Sequence, residues 1–445
     1  MPRTPNTRLR ALMAEAGLGP SQLARMLRSV AAERGVPLAC DQTAVRRWLA
    51  GAHPRPPAPA LLLECLARKL DKPVTAQDAG LTRTPATVIN SPEQAPVRTL
   101  IQLTQAEFDP SRRVVLGASG FSLAALSRTG LAMFDRPTQQ PSAATAAPTR
   151  ADQAHIDEIS AMAALFHGAA ERHGGQSIRA ALAAYLADRV APLLRGSPRD
   201  TVHRQLLSAI ARLTLLLGIA SADSGHHGVG QYYHRSAARL AGDAGDSVTF
   251  AIALRVLATQ AHDLGHHSPA VLNLAEQAVA HARHAPPAVL AYALAHLAVV
   301  QAHGDRRAAL ASLARAEHFH ARADTAPGPF TGYPAGALHY QRAQTLAALG
   351  DLTGARAALT VSLRLRTADE PRATALTRAY LAETHLRIGH LDEALSQWRI
   401  FLAAYPTLHS ARAARRLQTT TRQLQPHRRH PAVRQFLTEA AALAS

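Results

Sequence analysis

Residues 343–355 read Ala343-Gln-Thr-Leu-Ala-Ala-Leu-Gly-Asp-Leu-Thr-Gly-Ala355, and residues 382–394 read Ala382-Glu-Thr-His-Leu-Arg-Ile-Gly-His-Leu-Asp-Glu-Ala394. In both, an alanine stands seven places before a glycine and another five places after it. The pattern recurs upstream around Gly225, Gly265 and Gly304, so the five glycines are spaced by 40, 39, 46 and 39 residues. The trailing positions are Gly230, Ala270, Ala309, Ala355 and Ala394; the leading ones are Gly218, Ala258, Leu297, Ala343 and Ala382. A glycine can take the left-handed conformation that ends a helix. Small residues on each side of it let the next helix pack back closely on the one before. The spacing therefore predicts stacked helical hairpins. The step of 46 predicts an insert, read at Pro327-Gly-Pro-Phe-Thr-Gly-Tyr-Pro334.

Composition agrees with a helical chain. Hydrophobic residues make up 47% and are mostly Ala and Leu, while aromatics are only 4%. That mixture favours helices over a β-sandwich, which draws on Val, Ile, Thr and aromatics. A chain of 445 residues has room for more than one domain. Three regions are expected: a basic head over 1–80, connecting helices and linker over 81–151, and helical repeats over 152–445. Within the middle region, Pro96–Phe108 and Arg112–Phe134 read as helices, and 135–151 is a linker rich in Pro, Ser, Thr and Ala.

Two cysteines, Cys40 and Cys65, cannot form a disulfide framework, and neither sits in a CxxC pair or a zinc-finger spacing. No signal-peptide core follows Met1, and the apolar run 114–134 is broken by Ser122, Ser127, Arg128 and Thr129, so a cytoplasmic protein is expected. Walker, GxSxG and HExxH patterns are absent, so neither an enzyme nor a cofactor is expected.

Basic residues number 49 against 31 acidic, a net charge of +18, and the only lysines are Lys69 and Lys72. The excess is concentrated: residues 1–72 hold twelve basic and five acidic side chains. Such a head points to an anionic partner, nucleic acid first.

The hairpin pattern resembles the tetratricopeptide repeat, in which helix A carries a small residue, the turn a glycine and helix B an alanine. The resemblance covers roughly 200–406, with a period longer than the usual about 34 residues. It implies an α-solenoid, all-α throughout, with a concave surface suited to a peptide, a small molecule, a partner helix or another copy of itself.

The strongest short signal in the head is Asp41-Gln-Thr-Ala-Val-Arg-Arg-Trp-Leu-Ala-Gly51. Asp41 is a good helix N-cap. Ala44, Val45 and Trp48 share one face of the helix it starts, and Gln42, Thr43, Arg46 and Arg47 lie towards the other. Upstream, Pro20-Ser-Gln-Leu-Ala24 opens a helix with Ser21 as its expected cap, running on to about Arg34. Downstream, the stiff Pro54–Pro59 turn leads into the leucine-rich stretch Ala60–Leu70.

Together these features resemble lambda-repressor-like helix-turn-helix domains. Ser21, Gln22 and Ala24 match their second helix, Asp41, Val45, Arg47, Trp48 and Gly51 their recognition helix, and Pro56 the turn that follows. The connection between the two helices is longer than the family's tight turn. The resemblance implies double-stranded DNA as partner and a homodimer on a two-fold site. Gln42 would pair with adenine, Arg46 would fork onto guanine and Thr43 would meet a thymine methyl. Gln22 belongs to the same DNA-facing set, and Arg25, Arg28, Arg47 and Arg55 would hold phosphates. Head and repeats in one chain resemble Arg- and Ala-rich actinobacterial transcription regulators and, more distantly, peptide-pheromone regulators. The competing expectation is a repeat scaffold whose basic head reads no sequence.

Three further features are weighed. His262, His266 and His267, with His226 and His227 one repeat earlier, have near-ligand spacing but straddle a turn glycine, so polar caps are expected rather than metal ligands. Seven arginines without an acid over 411–434 read as the polar outer face of capping helices, with an anionic contact as the alternative. Phe330, Tyr333 and Tyr340 place aromatics at the insert, as ligand contacts or as a loop staple.

Overall fold

The computed structural model describes residues 5–33, 37–55, 57–70, 74, 78–81, 100, 101, 104, 121–123, 126, 151–195, 200–323, 330 and 332–444. The expected helices 96–108 and 112–134 and the linker 135–151 lie almost wholly outside the described residues. The fold is all-α, and no strand occurs among the described residues. The chain divides into two units, Met1–Gln139 and Gln140–Ser445.

The first unit contains α1 (Thr7–Glu15), α2 (Pro20–Glu33), α3 (Gln42–Leu49) and α4 (Ala58–Leu70). They close around one apolar core that includes Leu9, Leu23, Leu27, Val45, Trp48, Leu62 and Leu66. Asn6 ties its ends together. Its Oδ1 accepts the Leu9 N–H at 2.9 Å and caps α1, while its Nδ2 donates to the Ala79 carbonyl at 2.9 Å. The Asn6 N–H donates to the Leu49 carbonyl at 3.0 Å, fixing the end of α3. Cys40 and Cys65 are both buried, are not joined in a disulfide, and serve as small core residues.

α3 begins and ends as its sequence dictates. Asp41 Oδ1 accepts the Ala44 N–H at 2.8 Å. Gly51 stands at φ 93°, and the Gly51 and Ala52 N–H groups donate back to the Trp48 and Arg47 carbonyls at 3.0 and 2.9 Å. That double closure is a Schellman motif, which accounts for the glycine. α2 differs from expectation at its start. Its cap is Gly19 rather than Ser21, because the longer Gln22 side chain reaches back and accepts the Gly19 N–H at 2.8 Å.

The second unit opens with α5 (Gln153–His173) and α6 (Gly175–Tyr185). Five hairpins follow. They are α7 (Asp200–Asp223) with α8 (His227–Ala244), α9 (Ser247–Asp263) with α10 (Pro269–His281), α11 (Pro287–Gln301) with α12 (Arg306–His320), α13 (Ala335–Ala348) with α14 (Leu352–Leu365), and α15 (Pro371–Ile388) with α16 (Leu391–Ala404). α17 (Ala411–Leu424) and α18 (Pro431–Ala444) end the chain. Each repeat glycine falls between the two helices of its pair. Gly225, Gly265, Gly350 and Gly389 have φ between 84° and 97°. Gly304 turns without positive φ, through the Gly304 and Asp305 N–H groups, both bonded to the Gln301 carbonyl.

Most of the flanking small residues do the expected work, while Ala270 is only half-buried. Ala258, Ala309, Ala343, Ala355, Ala382 and Ala394 are all completely buried. Gly218 and Gly230 face each other so closely that a Cβ on Gly230 would lie 2.9 Å from the Gly218 carbonyl oxygen. α7 is the helix among the described residues long and apolar enough to cross a bilayer, but most of that stretch is buried inside the array.

The array closes on itself. The His409 N–H donates to the His173 carbonyl at 2.7 Å, and the Gln176 N–H returns to the His409 carbonyl at 3.2 Å. Asp223 is the keystone: its carboxylate accepts the Gly175 N–H at 2.8 Å and the Ser410 hydroxyl at 2.6 Å. The first hairpin therefore docks against the end of the fifth, and the concave side becomes an interior.

Candidate functional site

On α3, packing separates two faces. Ala44, Val45 and Trp48 are buried, and Gln42, Thr43, Arg46 and Arg47 are exposed. Trp48 is thereby a core residue. Backbone capping by the Ala44 N–H holds the Asp41 carboxyl below the usual range, with Thr43 and Arg47 adding to the effect. On α2, Gln22 and Arg25 are exposed, and Arg55 is exposed in the turn before α4.

Arg28 has a role the sequence did not suggest: its Nη1 donates to the Cys40 carbonyl at 2.5 Å, tying α2 to the residue that precedes the α3 cap. Gln22 spends its carbonyl oxygen on the α2 cap. The exposed set thus comprises Gln42, Thr43, Arg46 and Arg47 on α3, with Arg25 and Arg55 on flanking elements. No ion pair engages Arg25, Arg46, Arg47 or Arg55 among the described residues.

The second candidate site lies in the repeat unit. On the concave side lies a half-open chamber of about 1060 Å³. A recess of about 240 Å³ shares Arg255, Tyr292 and Tyr333 with it as walls. Three arginines around this space are neutralised by carboxylates: Arg366 by Glu370 at 2.5 Å, Arg372 by Glu171 at 2.8 Å and Arg412 by Asp263 at 3.1 Å. Burial alone would raise the Asp263 carboxyl; Arg412, His262 and His296 outweigh it and hold the group below its ordinary range.

Arg255 is different. It is 6% exposed, and among the described residues its side chain makes one hydrogen bond, from Nη1 to the Tyr292 hydroxyl at 2.8 Å. Its guanidinium carbon sits 3.7 Å from the Tyr292 ring centroid. Tyr333 packs edge-on against Tyr292, ring centroids 5.2 Å apart, and its hydroxyl is buried without a partner. Both readings of the insert aromatics therefore have a basis: Tyr333 staples the insert to α11 and also lines the chamber.

Of the seven arginines over 411–434, Arg422, Arg428, Arg429 and Arg434 are exposed as an outer face would be, but three on α17 turn the other way. Arg412 reaches Asp263, Arg415 donates to His227 Nε2, and Arg416 pairs with Glu383. The first turns of this end helix put their arginines onto the array because α17 lies beside α9 and α15 there. Burial, then Arg415, pushes His227 down to about 4, so the neutral ring is the acceptor.

At the repeat turns, His262 and His267 meet His303 from the next hairpin, with ligand atoms within 4.8 Å of one another. The Nε2 atoms of His262 and His303 are 3.1 Å apart. His267 and His303 stack face to face at 3.8 Å between centroids, an arrangement in which the two rings do not radiate from one ion. His266 is not part of the trio. His303 was missed in the sequence because it belongs to the following repeat.

Among families of known domains, residues 9–82 match one described as the SP15 N-terminal domain. The match takes in α2, α3, α4 and α1 from its third residue, and none of the repeats. No curated protein matches the chain.

Proposed function

We propose that this chain is a cytoplasmic transcription regulator whose first unit reads double-stranded DNA and whose repeat unit receives the signal that controls it. The observation that carries the reading is the division of α3. One side is locked into the core by Val45 and Trp48, and the other offers Gln42, Thr43, Arg46 and Arg47 to solvent. A capped helix that presents an amide, a hydroxyl and guanidinium groups has the donors and acceptors that distinguish base pairs in a major groove. Arg25 and Arg55, exposed beside it, supply the phosphate contacts that position such a helix. One small helical unit buries little DNA surface, so the working form is a homodimer on a two-fold site. The repeat unit contributes the other half of the reading, because a deep, half-open chamber lined by a buried arginine that no carboxylate pairs with is a place for a signal molecule.

The test is footprinting on genomic fragments at about 150 mM salt, where long-range attraction is largely screened. A discrete two-fold footprint that Arg46→Ala abolishes supports the reading. Binding that spreads over random DNA and ignores Arg46 replaces it with the scaffold whose head reads no sequence.

A further inference from the structure

We propose that the chamber of the repeat unit binds a small organic monocarboxylate, with the acid on Arg255 and its apolar body against Tyr292, Tyr333 and the aliphatic wall. The inference rests on reading the repeat unit as the signal-receiving half, and not on DNA binding.

Four observations carry it. First, Arg255 is a charge taken out of water without a counter-charge. It is 6% exposed, and no carboxylate pairs with it among the described residues. Burying a cation is costly unless an anion answers it. Of the other arginines that line the chamber, Arg366, Arg372 and Arg412 are answered by carboxylates, while Arg172 bonds the Gly168 carbonyl and Arg415 the His227 ring.

Second, the unused atoms have a shape. Nη1 is fixed on the Tyr292 hydroxyl, and Nε is buried without a partner. Nη2 makes no hydrogen bond. Nε and Nη2 form the side-on fork of a guanidinium, the geometry that a carboxylate accepts in two parallel bonds. The Tyr292 bond and the ring beneath hold the fork in place, so little entropy is lost when it is used.

Third, a further donor stands beside it. The Tyr333 hydroxyl is buried without a partner, one ring from Arg255 through Tyr292. A hydroxyl in that state is satisfied by an acceptor on a ligand.

Fourth, the rest of the chamber sets the ligand's character. Leu216, Ile219, Val256, Ala288, Pro334 and Leu365 line it, so the body of the ligand is apolar. Glu171, Glu370 and Asp263 line it as well, each already paired with an arginine, and these carboxylates disfavour a second negative charge on the ligand. That selects a monoanion, hence a carboxylate over a phosphate ester, which carries up to two charges near neutral pH.

The test uses the full-length protein without DNA. Calorimetric titration is run with a panel of matched acids and amides: phenylacetate with phenylacetamide, indole-3-acetate with its amide, and octanoate with octanamide. Phenyl phosphate serves as the dianionic control. At least one acid is expected to bind about tenfold or more tightly than its amide, as charge-assisted bonds differ from neutral ones. Phenyl phosphate is expected to bind more weakly than that acid. The preference for acid over amide is expected to vanish in Arg255→Gln and to shrink in Arg255→Lys, which keeps the charge but not the fork. Arg255→Gln is also expected to leave the unliganded protein as stable as the parent or more so, since it removes an unanswered charge. If Arg255→Gln does not fold, Arg255→Lys and Tyr333→Phe carry the comparison. The proposal is overturned if no acid outbinds its amide, if the substituted proteins keep the preference, or if phenyl phosphate binds best.

Discussion

Glu171 and Arg372 are 201 residues apart in sequence and 2.8 Å apart in space. The bond joins α5 to α15, and the same guanidinium lies 3.8 Å from Asp223. Burial alone would raise the Glu171 carboxyl, but Arg372, His167 and Arg366 outweigh it and hold the group below its ordinary value. The pair therefore works as a clasp on the ring. Removing one partner of a buried pair costs about 3–5 kcal/mol. Here the Glu171 side chain keeps 34% exposure, so we expect about 2 kcal/mol from Arg372→Ala in the unfolding of the repeat unit. Glu171→Gln should cost less. The sign with pH follows from the lowered carboxyl: its contribution is complete above about pH 4.3 and is lost as pH falls through the folded value. Urea titrations between pH 6 and 3 should show a shallower decline for Glu171→Gln than for the parent. Parallel curves would mean that the clasp contributes nothing.

His234 offers a second pH dependence, in a different window. Its side chain is 1% exposed; Nδ1 lies 3.1 Å from Gln260 Oε1, and Nε2 has no partner. Burial pushes its pKa down to about 4, although Gln260 acts in the opposite direction. An unfolded histidine titrates near 6.5. The unfolded chain thus takes up a proton that the folded chain refuses, and stability falls as pH drops from about 6.5 towards 4. The loss is expected to reach roughly 3 kcal/mol at 1.36 kcal/mol per unit. It should disappear in His234→Gln, which cannot charge. Proton NMR provides the direct check: the His234 ring signals should stay constant from pH 7.5 to 5 while those of exposed histidines move.

Two repeat glycines are predicted to respond differently to alanine. At Gly218 a Cβ would stand 2.3 Å from His234 Cδ2, on a ring that is itself buried. Gly218→Ala must push α7 and α8 apart, and overpacking of this kind costs about 1–3 kcal/mol. At Gly265 nothing lies within 4 Å, but φ is 84°. Gly265→Ala pays only for the left-handed backbone, about 1–2 kcal/mol. The discriminating measurement is the double variant with His234→Ala. Making room at His234 should rescue much of the Gly218→Ala loss and none of the Gly265→Ala loss.

These glycines also show what was legible in the sequence. Hairpins are local objects: a turn glycine, left-handed in four of the five, and flanking residues that are small in all but Leu297 lie within twelve positions, so Ala343–Ala355 and Ala382–Ala394 could be read directly. The cap at Asp41 and the buried side of α3 are equally local. Ring closure is not. The curvature of an array is the sum of small rotations between hairpins, and no short stretch encodes that sum. Glu171, Asp223 and Arg372 therefore belong to no motif, and the arginines of 411–434 looked like an outer face when three of them turn inward. His303 was hidden for the same reason, since its partners sit one repeat back. Arg255 carried no signal, because an arginine inside an apolar helix is informative only once its surroundings are known. Tyr333 did leave a trace, as an aromatic in an insert that broke the repeat spacing.

The last prediction separates two arginines that look alike in sequence. Arg25 and Arg28 are both exposed residues of α2, one turn apart, and the resemblance to helix-turn-helix domains assigned phosphate contacts to both. In the fold, Arg28 donates to the Cys40 carbonyl, while no hydrogen bond or ion pair engages Arg25 among the described residues. Arg28→Ala removes a charge-assisted bond that fixes the entry to α3, so about 1–2 kcal/mol of stability in the first unit should be lost. DNA affinity should fall with it, at an unchanged salt slope. Arg25→Ala should stay within about 0.5 kcal/mol of the parent in stability. On the proposed reading it should lower the slope of log K against log salt by about 1, the signature of one lost phosphate contact. Measuring both variants for unfolding and for DNA binding at three salt concentrations distinguishes a residue that builds the reading helix from one that anchors it. Equal slopes in all three proteins would remove Arg25 from the interface, and a reduced slope in Arg28→Ala alone would exchange the two roles.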